Sequence, residues 1–494
     1  MERSSGILLH ISSLPGDGGI GCMGKDAYQF VDFLAQTRQK IWQILPLGPV
    51  GYGNSPYQCY SAFAGNPMFI DVNQLVTDRL ISKDLVTEQH FKAKKVEFER
   101  VEAWKMILFK EAFIGFKKNF NRYKDDYETF MGYNSWLLND YSLFRSLKSK
   151  NGETVWNTWS KELVARDWNT LQLAYQTLSE EVDFHRFLQF IFFRQWHKLK
   201  KYANSKGVSI IGDIPLYVSL DSVDVWANQD LFLFDENANP TLVGGVPPDY
   251  FSETGQLWGN PVFNWDRIAE RDFDWWIARV KFNLQLFDQV RVDHFRGLES
   301  FWAVSVKEET AIVGEWLPAK GYDLFRKLKE QLGTLNVIAE DLGVITPEVE
   351  QFRDEFNLPG MKILQFAFES DPTNKDLPHN YTSNFIAYTG THDNDTTLGW
   401  FNSIEKKERR FLRKYIDGKG KQFVENFIET VWASAAQTAI IPMQDVLGMD
   451  TEARMNTPGI ASGNWDWRFT WAQIRNNHKF FLKRVTEKYN RLEK

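Results

Sequence analysis

The stretch Phe287-Asp288-Gln289-Val290-Arg291-Val292-Asp293-His294-Phe295-Arg296-Gly297, FDQVRVDHFRG, decides the fold. A short apolar run ends in an arginine, a carboxylate and a histidine. Side chains alternate across a strand, so Arg291 and Asp293 share one face, with Val290 and Val292 on the other. Ionisable groups at the end of a buried strand do little for stability. They are well placed for chemistry at the mouth of a (β/α)8 barrel, where such strand ends converge.

Three more acidic motifs repeat this placement. Gly212-Asp213 follows VSII, Ala339-Glu340-Asp341 follows LNVI, and Thr391-His392-Asp393 follows NFIAYTG. Strand character extends to eight runs, namely 6–11, 41–45, 208–214, 290–294, 336–341, 362–366, 385–388 and 439–443. Helical patterns separate many of them, among them 184–202, 273–287 and 347–356. Alternating strands and helices predict parallel βαβ units. Eight such units predict a closed α/β TIM barrel rather than an open sheet.

The alternation breaks between the second and third runs. Over residues 75–185 the spacing of Val101, Trp104 and Leu108, and of Trp136, Leu137, Tyr141 and Phe144, is helical. A mostly helical insertion subdomain is expected there, beside the barrel mouth. Residues 240–270 read as a Pro-rich lid-loop region, one of several extra loops around that mouth. The whole chain, 1–494, is expected to be one catalytic barrel.

Composition narrows the function. The net charge of −6 argues against nucleic acid, which needs clustered Lys and Arg. The densest apolar stretch, 187–193, is far too short to span a bilayer. Two cysteines, Cys22 and Cys59, make no disulfide scaffold, and no signal-peptide pattern opens the chain. A cytoplasmic protein is expected. Tryptophan and tyrosine are plentiful, which suits both a large core and stacking on sugar rings.

Several motifs lead elsewhere and are set aside. Gly16-Asp17-Gly18-Gly19-Ile20-Gly21 matches a dinucleotide fingerprint, but the following strand lacks the acidic residue that would hold a ribose. Asp235-x-Asn237-x-Asn239 begins like a calcium loop, yet Pro240 replaces the required glycine and Val246 the bidentate glutamate. The eight histidines show no HExxH-like spacing, and no GxSxG elbow occurs. No metal and no cofactor are expected.

Taken alone, Arg291 with Asp293 reads most simply as an internal ion pair, and Glu340 as a buried structural carboxylate. Together they read differently. A guanidinium favours the charged form of a neighbouring carboxylate, and burial favours the neutral form of the other. One ionised and one protonated carboxyl are what glycoside cleavage needs. Asp393, beside His392, is placed to bind hydroxyls and a cation-like transition state. Asp213 is placed to hold the sugar ring or to support Arg291.

These ordered motifs resemble those of the α-amylase superfamily, and more closely those of the 4-α-glucanotransferases, the amylomaltases or disproportionating enzymes. The similar segments include GILLHISSLPG, WQILPLGPVGYGNSPYQ, GDIPLYV, VGGVPPDYFSETGQLWGNPVFNW, RVDHFRG, IAEDLG, YTGTHDNDT and NTPG…NWDWR, spanning residues 6–468. The resemblance implies Asp293 as nucleophile, Glu340 as acid/base and Asp393 as transition-state stabiliser. It implies sugar binding by Asp213, Arg291, His294 and His392, and stacking by Tyr57. It also implies an acceptor-side lid carrying Asp249, Tyr250, Phe251 and Trp258, and a binding loop carrying Asn464. Typical amylases place Asn-His soon after the third-strand Asp; GDIPLYV has neither, which favours the metal-independent amylomaltases. Asp395, in THDND, is the nearby decoy.

The function so implied is transfer of an α-1,4-glucan segment to the 4-hydroxyl of another maltooligosaccharide or of glucose, by retaining double displacement. A glucan hydrolase on the same barrel is the alternative. A catalytically silent glucan-binding protein and a nicotinamide oxidoreductase are more distant ones. Oligomeric state is not legible in the sequence.

Overall fold

The computed structural model describes residues 3–248, 252–369 and 371–492. Eight parallel strands form its central sheet: β1 (Ser4–Leu8), β2 (Ile41–Gln43), β3 (Ser209–Ile214), β4 (Gln289–Val292), β5 (Val337–Ala339), β6 (Gly360–Ile363), β7 (Phe385–Tyr388) and β8 (Thr438–Pro442). The order is β6-β7-β8-β1-β2-β3-β4-β5. Its two ends meet where the Ala339 N–H donates to Pro359 O at 2.9 Å and the Met361 N–H to Asp341 Oδ1 at 2.7 Å. The sheet thus has the barrel shape that the eight apolar runs predict. Helices cover its outer face, so each strand is buried on both sides and its sequence is almost continuously apolar.

Most strands are shorter than their apolar runs. β4 ends at Val292, because Asp293 and His294 leave the ladder and His294 turns to φ 53°. After β6 the chain enters a 3-10 turn at Leu364–Ala367, and Met443 opens a helix after β8. The apolar runs continue past the hydrogen bonding because these loops are themselves buried at the mouth.

Between β2 and β3 the chain is helical. The principal helices are Phe98–Lys118, Lys124–Lys150, Trp168–Thr177 and Ser179–Ser205. Phe113 and Phe116 pack on Phe187 with centroids 5.5 and 5.0 Å apart, and Tyr127 meets Phe190 edge-on at 5.3 Å. Pairs of this kind add about 0.5–1.5 kcal/mol each beyond their buried area. Trp136, one of the residues at helical spacing, is half exposed, whereas Leu137, Tyr141 and Phe144 are buried.

One element departs from expectation. The stretch read as a lid loop holds two strands, Leu242–Val246 and Gln256–Pro261. They join Ser300–Ser305 and Glu315–Pro318 in a four-stranded antiparallel sheet. Gly244 and Gly245 hide the first of these strands from a reading by apolar alternation. Its partner Ser300–Ser305 lies far along the chain, so nothing local marks the pairing. No helix among the described residues is long and apolar enough to cross a membrane.

Candidate active site

All strands of the barrel run the same way, so residues at or just past the C-terminal ends of β3, β4, β5 and β7 gather at one mouth. Register makes this exact for three of them. Asp213 pairs with Arg291, and Val292 pairs with Ala339, which puts Asp293 beside Glu340. Backbone bonds from Asp293 N to Ile214 O, 2.9 Å, and from Glu340 N to Val292 O, 3.1 Å, hold the three strand ends together.

Arg291 is the centre. Its buried guanidinium donates to Asp213 Oδ2 and to Asp293 Oδ1, both at 2.7 Å. Burial works against its charge, but Asp213 and then Asp293 outweigh it and keep Arg291 protonated well past its ordinary range. Burial pushes Asp213 up to about 7, against the pull of Arg291. Asp213 Oδ2 also accepts from Tyr57 OH at 2.7 Å, while Oδ1 is buried and has no protein partner.

Tyr57 does more than offer a flat ring. Its hydroxyl lies 2.9 Å from His392 Nε2, and the two rings stack at 5.3 Å and 14°. One face of the expected platform is therefore occupied by a histidine. Burial lowers the pKa of His392, favouring the neutral ring, and its Nε2 is 3.3 Å from Asp393 Oδ2.

Glu340 lies beside Asp293 but bonds to backbone rather than to Arg291. It accepts from the backbone N–H of His294 at 2.6 Å and of Leu342 at 3.0 Å. Burial nevertheless pushes it up to about 8; Arg291 and these hydrogen bonds oppose the rise, and the Asp293 charge adds to it. Burial thus favours its protonated form. The left-handed backbone of His294 aims that N–H at Glu340, at the strain expected of a non-glycine residue there. The His294 ring meets Trp258 edge-on at 4.9 Å; its Nε2 is buried without a protein partner, and burial lowers its pKa to about 4.

Asp341, the neighbour of Glu340, and the decoy Asp395 are both engaged elsewhere. Asp341 faces away from the mouth and pairs with Arg353 at 2.5 Å and Met361 N at 2.7 Å. Asp395 Oδ2 accepts from Thr451 Oγ1 at 2.8 Å, and its carbonyl accepts from Gln365. The glycine fingerprint is a turn pinned by Arg468, which donates to Gly16 O at 2.8 Å. The next helix starts only at Lys25, with Gly24 as its N-cap and Asp26 in its first turn, and the Asp26 carboxylate lies beside Gly16, where a phosphate would be repelled. Asp235 closes its own turn by accepting from Asn237 and Asn239 N–H.

Asp249, Tyr250 and Phe251 lie outside the described residues. Asn464 is in a loop near the mouth, where its amide is engaged locally: Oδ1 accepts from Thr457 N at 2.9 Å and Nδ2 donates to Ile460 O at 2.7 Å. Two neighbours of the cluster escaped the sequence reading. Asn456 Nδ2 donates to Asp393 Oδ1 at 2.6 Å, and Trp465 packs against Tyr57 and His392 with centroids 5.9 and 6.0 Å apart. Both belong to the NTPG…NWDWR stretch, whose resemblance was the only available signal.

Fold and site together define an enzyme of the glycoside-hydrolase barrel type. The comparisons narrow this. The chain belongs to glycoside hydrolase family 77, 4-alpha-glucanotransferase, which it matches over residues 9–473. It is 45% identical over 502 aligned positions to the 4-alpha-glucanotransferase of Thermus thermophilus, covering 100% of both chains. The Synechocystis sp. 4-alpha-glucanotransferase is 46% identical, with 99% of this chain and 98% of that one covered. The structure of the amylomaltase from Streptococcus agalactiae in complex with acarbose superposes with a TM-score of 0.97 at 41% identity, covering 100% of both chains.

Proposed function

We propose that this member of the 4-alpha-glucanotransferase family moves segments of α-1,4-glucan between maltooligosaccharides, with glucose among the acceptors, by retaining double displacement at Asp293 and Glu340. The observation that carries the reading is the contrast between adjacent carboxyls. Asp293 accepts a charge-assisted hydrogen bond from Arg291, and Glu340 is pushed up to about 8 by burial.

A carboxylate oxygen of Asp293 forms a bond to the anomeric carbon while the glycosidic C–O bond breaks. The proton of Glu340 goes to the leaving oxygen, and the shortened chain departs with a free 4-hydroxyl. Glu340, now ionised, takes the proton of an incoming 4-hydroxyl, whose oxygen attacks the anomeric carbon and releases Asp293. Retention of this type requires carboxyl groups about 5–5.5 Å apart. Asp393 faces the cation-like ring of both transition states, and Asp213, Arg291, His294, His392 and Tyr57 hold the donor sugar. Trp258, standing against His294, helps exclude water, so that a sugar hydroxyl wins the second step. Asn464 supports a binding loop near the mouth.

The chemistry needs neither metal nor nucleotide. With Cys22 and Cys59 both free, the cytoplasm is the location this reading assigns. Incubation with maltotriose alone tests it. Glucose plus a ladder of longer maltodextrins, with total reducing ends nearly constant, is expected. Glucose and maltose with rising reducing ends would make the protein a hydrolase.

A further inference from the structure

Asp393 is more exposed than Asp293, whose side chain is 29% exposed and held by Arg291. The Asp393 side chain is 42% exposed, while that of its neighbour His392 is 5% exposed. A half-solvated aspartate has several accessible rotamers, and only some aim a carboxylate oxygen into the cleft. Something other than burial must select one.

The selecting contacts come from a segment 61–63 residues further along the chain. Asn456 Nδ2 donates to Asp393 Oδ1 at 2.6 Å. Arg454 donates from one nitrogen to Asp393 O at 2.8 Å and from Nε to Asn456 O at 2.7 Å. The backbone N–H of Asn456 donates to His392 O at 3.1 Å. These bonds fix backbone and carboxylate at once. They leave Oδ2 on the His392 side.

The same segment is anchored a second time. Its loop closes where Trp465 N donates to Met455 O at 2.8 Å, and Trp465 holds a left-handed backbone, φ 67°, unusual for a bulky residue. That conformation places its ring against Tyr57 and His392. One foot of the loop therefore grips Asp393, and the other packs on the two rings beside it. Backbone strain at such a position is retained where the surroundings over-determine it.

We propose that Asn456, clamped by Arg454, is a positioning residue that holds Asp393 in the rotamer its transition-state role needs, an inference resting on the role assigned to Asp393 above. It touches no reacting atom. Its effect falls on turnover, because Asp393 interacts most strongly with a charge that exists only in the transition state.

Steady-state disproportionation of maltotriose by the full chain tests this, with Asn456→Ala and the isosteric Asn456→Asp, each with a melting curve. Asn456→Asp keeps the shape but replaces the donor by an acceptor facing Asp393 Oδ1. Both variants are expected to lose about 10–100-fold in kcat, the scale of a misplaced catalytic group. KM should move less than about threefold, since the residues that hold the donor sugar, Asp213, Arg291, His294, His392 and Tyr57, are unchanged. Folded variants with kcat within about twofold of wild type would overturn the inference. If Asn456→Ala fails to fold, Asn456→Asp decides by the same criterion. A wild-type chain inert on maltotriose would overturn the role of Asp393, and this inference with it.

Discussion

The helical insertion and the barrel mouth leave different kinds of buried polar group open. On the helix Ser179–Ser205, which leads from the insertion back to β3, Gln189 accepts from Gly65 N and donates to Gly65 O, both at 2.8 Å. Six residues on, Gln195 does the same with Asp71 N and O at 2.7 and 3.2 Å. The buried ammonium of Lys148 donates to Glu153 O, Thr154 O and Asp221. These groups have their partners within the chain. At the mouth, Asp213 Oδ1 and His294 Nε2 are buried without one, and His294 and Trp465 hold left-handed backbones. Unpaired buried atoms occur in the insertion too, at Trp104 Nε1, Ser142 Oγ and Arg166 Nη1, but at the mouth they belong to a carboxylate and an imidazole on neighbouring strand ends, where the hydroxyls of a sugar can complete them.

Substitutions should divide along the same line. Asp293→Asn and Glu340→Gln are expected to lower maltotriose turnover by on the order of 10⁴-fold while leaving the melting temperature near or above wild type. Asp395→Asn, two residues from Asp393 but bonded to Thr451, should keep activity within about tenfold, measured in the same assay. A large loss there would break the distinction between site and scaffold carboxylates. Gln189→Ala should do the reverse of the mouth variants. It leaves both buried groups of Gly65 unpaired and should lower stability by about 1–3 kcal/mol per group in denaturant titration, with kcat little changed.

The pH dependence sharpens the comparison further. Glu340 must be protonated to release the leaving group, so kcat/KM should fall as pH rises through about 8. The stability sign follows from linkage. Its folded pKa lies above the ordinary 4.5, so its contribution is fully present below that value and is lost as pH rises towards about 8. The melting temperature of Glu340→Gln minus that of wild type should therefore grow across this window. Scaffold variants such as Gln189→Ala should show no such trend.

Much of this was legible in the sequence because the relevant signals are local. VRVDH and NVIAEDL each place an apolar strand directly before its carboxylate, so strand, face and mouth follow from alternation alone. Helices such as Ser179–Ser205 announce themselves by their stripe. Long-range contacts left no such trace. Asn456 meets Asp393 only after the chain has passed through β8, and an asparagine before Thr-Pro-Gly reads as a turn. The antiparallel sheet pairs Leu242–Val246 with Ser300–Ser305 across two intervening helices and β4. The stacking of His392 on Tyr57 joins residues 335 apart, and nothing near either residue foretells it.

The central claim is a covalent glucosyl-enzyme on Asp293. An activated donor such as α-maltosyl fluoride needs no acid to leave, so Glu340→Gln should still be glycosylated. It should then turn over slowly, because the base of the second step is missing. Peptide mass spectrometry of that variant after reaction is predicted to find a maltosyl ester on Asp293. No adduct, or an adduct on another carboxylate such as Asp213 or Asp393, would contradict the account.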